Sequence, residues 1–202
     1  IPIKDSFYLD WQEQLASWGV TSLVFDYRGI EGTSVELGKT SLATRLEDAI
    51  VAYDVLEGQI QTSDIFSVGV SMGAATALQL SQERTLKGIG FVYPAAYSKA
   101  AHTISFGSNF SAEIRKDDDL MSYLEFRLLN QYAGKLLLAY GGKDEVVPAE
   151  ILSLYRSEIM LKEGVVTENP EAAHAFMRKD DPVSLDAQRA LAVELKKFLT
   201  GS

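Results

Sequence analysis

Short apolar runs alternate with longer amphipathic stretches along the chain, and the two periods are easy to separate. Nearly continuous apolar runs predict strands over 22–27, 65–70, 88–93 and 136–140, with a weaker one over 164–167. Because their apolar positions hardly alternate with polar ones, these strands should be covered by helices on both faces, as in a parallel sheet. Helical periodicity predicts helices over 7–17, 42–57, 73–82, 149–161 and 182–199. The last is well punctuated, with Asp181 placed as N-cap, Pro182 as first helical residue and Gly201 beyond the end. Strand and helix therefore alternate as in an α/β protein with a mostly parallel sheet.

One stretch, 98–131, breaks this rhythm. It is polar, mixed in propensity and longer than the usual connection between a strand and the next. It holds Ile104-Ser105-Phe106-Gly107, the charge run Lys116-Asp117-Asp118-Asp119 and an amphipathic piece from 120 to 129. We read it as a small cap inserted in a single domain spanning 1–202, folded over the carboxyl edge of the sheet.

Composition narrows the function. The formal net charge is −9, and no basic run interrupts it, which argues against nucleic acid and anionic membrane surfaces as partners. The absence of cysteine excludes disulfides, thiol catalysis and thiolate metal sites, and two histidines make a His-rich metal centre unlikely to be built. No apolar run approaches the roughly 20 residues of a membrane helix, and no export signal is visible, so the expected location is the cytoplasm.

The candidate chemistry centres on Gly69-Val70-Ser71-Met72-Gly73, a G-x-S-x-G pentapeptide lying between an apolar strand run and a helical run. A sharp strand-to-helix turn lifts the serine hydroxyl above the sheet edge, and small neighbours are needed where chains pass closely. Ser71 is thus the candidate nucleophile. A serine hydroxyl needs a base, itself usually oriented by a carboxylate. His174 follows the last strand and precedes the last helix, so it should sit on a carboxyl-edge loop with Ser71. The other histidine, His102, lies in the cap; a plain surface role for His174 is the competing reading. Asp144 lies on the loop leaving the 136–140 strand, with Glu145 as nearest competitor and a turn or capping role as the alternative. The chain order Ser71, Asp144, His174 is that of the strand-turn-helix serine hydrolases.

These segments resemble the α/β-hydrolase fold superfamily, in particular small serine esterases and acylaminoacyl-peptidase-like hydrolases. The stretch Asp26-Tyr27-Arg28-Gly29-Ile30-Glu31-Gly32-Thr33-Ser34 is similar to the family's D-x-R-G-x-G-x-S loop, with Ile30-Glu31-Gly32 as a mild departure. In the family this loop is structural, so Asp26 and Arg28 are expected in ion pairs. Tyr93-Pro94-Ala95-Ala96-Tyr97 is similar to a segment of some carboxylesterases and cinnamoyl-ester hydrolases, with packing against the cap as its simpler role.

The resemblance implies a cofactor-independent serine hydrolase of carboxylic esters or related acyl compounds, acting on a small-molecule substrate with no cofactor and no metal. A peptidase, a thioesterase or a non-catalytic binding protein on the same fold are the alternatives. It also implies an oxyanion hole formed by the backbone N–H of Met72 and by a second donor on the loop after the family's third strand. That strand, which the family places between its fourth and fifth, would belong to a segment upstream of Ile1, with Ile1-Pro2-Ile3 as the end of its loop.

Overall fold

A computed structural model describes residues 6–30, 34–62, 64–116 and 119–201. Among them, β1 (Phe66–Val70), β2 (Gly88–Val92), β3 (Lys135–Lys143) and β4 (Val165–Ala173) form one parallel sheet in the order β1-β2-β3-β4. Seven α-helices accompany it: α1 (Ser6–Ser17), α2 (Leu42–Glu57), α3 (Gly73–Glu83), α4 (Ser108–Glu113), α5 (Leu124–Gln131), α6 (Ala149–Leu161) and α7 (Pro182–Thr200). Residues 1–3, expected as the end of a loop, Glu31-Gly32-Thr33 of the D-x-R-G-like loop and Asp117-Asp118 of the charge run lie outside the described residues.

The apolar strand runs are explained by burial on both faces. Successive side chains of a strand point to opposite sides. Leu136, Leu138 and Tyr140 of β3 pack with Ile89 and Phe91 of β2 against α2, α3, α5 and α6. Leu137 and Ala139 pack on the other side with Val92, against Leu191, Leu195 and Phe198 of α7 and Trp11 and Leu15 of α1. Every residue of β2 is buried. Enclosing a leucine such as Leu137 or Leu138, both 0% exposed, contributes about 1.5–3 kcal/mol.

The stretch 22–27 corrects one expectation, since among the described residues it has no regular secondary structure and joins no sheet. A strand is defined by its ladder, and the sheet formed by the described residues does not include this segment; its partly buried Phe25 packs against the larger core cluster. β1 is consequently an edge strand, and Val68 within it is 42% exposed. The 164–167 strand is longer than its apolar run, because polar Glu168 and Asn169 continue the pairing with Tyr140 and Gly141 of β3, and after a register shift Ala173 pairs with Lys143.

Helix ends follow their sequence signals. Asp181 caps α7 by accepting from Ser184 N–H at 3.1 Å, with Pro182 in the first turn, and Gly201 closes the helix at φ 77°. Ser41 and Thr44 form a reciprocal capping box on α2. The stretch 98–131 folds as short 3₁₀ turns with α4 and α5, and is tied down by polar contacts. Its Glu125, 1% exposed, accepts from Tyr97 N–H at 3.0 Å.

Arg28 anchors the loop after 22–27 to α2. Its guanidinium meets Asp48 at 2.6 Å and Glu47 at 3.0 Å, while its own N–H donates to Asp48 at 2.9 Å. Since Arg28 is partly exposed, the expected effect of Arg28→Ala is modest, a loss of about 1 kcal/mol in urea unfolding with the native circular dichroism retained.

Candidate active site

The strand exits bring three chemically capable side chains to one point. β1 ends at Val70, α3 begins at Gly73, and the turn between them forces Ser71 into the left-handed region at φ 52°. A non-glycine residue rarely adopts that conformation, and it persists only where surrounding bonds hold it. Here Ser71 N–H donates to Val92 C=O at 2.9 Å, and Ser71 C=O accepts from Ala74 N–H at 3.1 Å and Ala95 N–H at 3.2 Å. The glycine at 69 is dictated by contact, since a Cβ there would lie 2.6 Å from Gly73 O and 2.7 Å from Ala74 Cα. Gly69→Ala should therefore overpack the elbow and lower stability by about 1–3 kcal/mol, read from the shift in the urea midpoint.

Asp144 follows β3 directly. The β3–β4 register shifts between Gly141 and Lys143, and at Gly141 a Cβ would meet Ala172 O at 2.2 Å, so the two strands converge just before the acidic residue. Asp144 Oδ1 accepts from Val146 N–H at 2.9 Å and Val147 N–H at 3.0 Å, leaving Oδ2 facing His174 Nδ1 at 2.8 Å. Its side chain is fully enclosed. Burial pushes the carboxyl pKa up, but the His174 hydrogen bond and the two backbone N–H groups outweigh it and hold the group below its ordinary value. Glu145, the competing carboxylate, is exposed.

His174 follows β4 directly, and the chain then turns sharply through Ala175 at φ 59° into a 3₁₀ turn over Phe176–Arg178. Gln188 of α7 donates to Phe176 C=O at 2.9 Å and ties this turn down. His174 Nε2 lies 3.2 Å from Ser71 Oγ, completing a hydrogen-bonded chain from carboxylate through imidazole to hydroxyl. The imidazole can accept the hydroxyl proton on one side while its other nitrogen donates to Asp144.

His102 takes no part in this chain. It is 5% exposed in the 98–131 stretch, its Nδ1 3.1 Å from Gln79 Nε2 of α3 and its Nε2 3.0 Å from Glu125 Oε1. Its position ties the 98–131 stretch to the helix that starts at the elbow. Met72 stands at the N-terminus of the eleven-residue α3, and among the described residues no acceptor takes its backbone N–H. That N–H and the positive end of the helix dipole are suited to a developing anion.

Two contributors escape a reading of the sequence alone. The N–H groups of Val146 and Val147 orient Asp144; an Asp two and three residues before them is the signal, since aspartate side chains commonly accept from such backbone donors. Tyr93 leaves β2 and lays its ring 4.5 Å from that of His174, between centroids. Its neighbour Tyr97 packs instead on Phe110 of α4.

No protein-family model and no curated protein matches the sequence. Solved structures do match in shape. The chain is similar to a monoacylglycerol lipase of Paleococcus ferrophilus, with TM-score 0.70 and 17% identity over 96% of this chain and 90% of that one. It is similar to Est1E of Butyrivibrio proteoclasticus, solved with ferulic acid bound, with TM-score 0.70 and 16% identity over 97% of this chain and 84% of the other. An alpha-beta serine hydrolase homologue of Coxiella burnetii matches with TM-score 0.59 and 19% identity, over 99% of this chain and 77% of its own. The chain has the α/β-hydrolase fold.

Proposed function

We propose that the protein is a serine hydrolase that cleaves carboxylic esters, or related acyl compounds, through an acyl-enzyme. The observation that carries this reading is the continuous hydrogen-bonded chain in which Asp144 Oδ2, His174 and Ser71 Oγ are linked at 2.8 and 3.2 Å. The strained elbow supports it, because backbone strain at Ser71 has a use if the hydroxyl must stand clear of the sheet.

In this mechanism Ser71 Oγ attacks the acyl carbon as His174 Nε2 takes the hydroxyl proton. Asp144 keeps the proton of Nδ1 on the side away from Ser71 and stabilises the imidazolium that forms. The carbonyl oxygen becomes an oxyanion facing Met72 N–H. Collapse expels the alcohol, which receives the proton from His174. Water then attacks the acyl-serine by the same route in reverse, with His174 as base, and releases the acid.

The esterase and lipase names among the similar structures favour an ester over an amide substrate. A fluorophosphonate probe tests the reaction class. Covalent labelling of the intact protein at Ser71 is expected, and absence of labelling overturns the reading. A series of p-nitrophenyl esters of increasing chain length, set beside aminoacyl amides and acyl thioesters, tests the substrate class; preference for either of the latter two replaces the ester assignment.

A further inference from the structure

The exit of β2 is built around the catalytic histidine in a manner the hydrogen-bonded chain does not require. Tyr93 follows β2 in a left-handed conformation at φ 37°, pinned by its N–H donating to Ala139 C=O at 2.7 Å and followed by Pro94. Its side chain is 1% exposed. One side of its environment is the His174 ring, at 4.5 Å between centroids with the planes 59° apart; another is Phe176, edge-on at 5.5 Å. The same turn is bonded to the elbow on both sides of Tyr93, through Val92 C=O and Ala95 N–H, which contact the backbone of Ser71. Two strained residues on adjacent strand exits, Ser71 and Tyr93, are thereby locked to each other, and both touch His174.

Geometry gives this contact a task. The bonds from His174 to Asp144 and Ser71 lie at opposite ends of the imidazole, along roughly one axis, and leave rotation of the ring about that axis weakly determined. A ring packed against the imidazole removes that freedom. Chemistry adds a second consequence. When His174 holds the serine proton, its ring is cationic, and a cation within about 6 Å of an aromatic centroid is attracted by the negative π face. A neutral imidazole gains little from this, so a Tyr93 face turned to His174 favours the transition state over the ground state.

We propose that Tyr93 is a positioning residue that fixes the tilt of His174 and stabilises its imidazolium form through the face of the aromatic ring. The inference rests on the serine-hydrolase reading above. Its effect should fall on kcat and on the rate of Ser71 acylation, while KM stays nearly constant.

The test replaces Tyr93 by phenylalanine and then by mono-, di- and trifluorinated phenylalanines, which keep the ring's shape while draining its π face. Relative to the phenylalanine variant, the acylation rate should fall stepwise with each fluorine, by about 3- to 30-fold over the series, at constant KM. A flat series, in a protein that still labels at Ser71, overturns the role of the ring face. Tyr93→Leu, with native circular dichroism, checks the tilt: a fall in kcat of about tenfold or more is expected, and kcat equal to that of the phenylalanine variant overturns positioning. If the unmodified protein fails to label at Ser71, the hydrolase reading falls first and this inference with it.

Discussion

Ser71→Ala will abolish fluorophosphonate labelling and lower turnover of an activated ester by about 10⁵–10⁶-fold, the loss typical of removing a nucleophile that acts as a unit with its base. The protein should remain folded, because the hydroxyl contributes only one hydrogen bond at 3.2 Å while the backbone of the elbow is held by separate bonds to Val92, Ala74 and Ala95. Loss of a hydroxyl also leaves no void comparable to a core truncation. Catalysis and stability are therefore expected to separate cleanly, with the urea midpoint unchanged within about 0.5 kcal/mol. A variant that still labels at the native rate would move the nucleophile elsewhere and remove the reading given to the whole constellation.

The strands that carry the site were legible because their surroundings leave little choice. β2 and β3 are enclosed on both faces, so their sequences had to be apolar at successive positions, and loops at the exits of such parallel strands must converge. That convergence is what made Ser71, Asp144 and His174 readable as one group from positions far apart in the chain. The 22–27 segment shows the limit of the same logic: a run of apolar β-formers reports a tendency to pack, whereas a strand also needs a ladder, and among the described residues the sheet stops at β1.

The polar half of β4 was missed for the opposite reason. Glu168 and Asn169 pair with Tyr140 and Gly141 through the backbone, where the ladder continues past the apolar run, and Tyr140 O–H donates to Glu168 at 2.7 Å. In the sequence Tyr93 is legible as an aromatic residue at a strand exit, within a stretch similar to one of some carboxylesterases. Its contact with His174 depends on how β2 and β4 end relative to one another, and neither composition nor period encodes that relation.

Asp144→Asn provides the sharper test of the assigned roles, because the surrounding donors dictate how the new amide must sit. The side-chain position now occupied by Oδ1 faces two N–H groups, of Val146 and Val147, so an asparagine will place its carbonyl oxygen there. Its NH₂ is then turned toward His174 Nδ1, where the carboxylate oxygen stood at 2.8 Å. A donor at that point is compatible only with an imidazole whose Nδ1 is an acceptor, which puts the proton on Nε2. Nε2 can then no longer take the proton of Ser71. The protein should keep its fold and, as the proposed hydrolase, its KM, while kcat falls about 10⁴-fold near neutral pH, the scale set by holding a triad histidine in the wrong tautomer. Fluorophosphonate labelling should slow in parallel. A loss of less than tenfold would show that Asp144 does not set the tautomer of His174, and would return the residue to the purely structural role of closing the turn after β3.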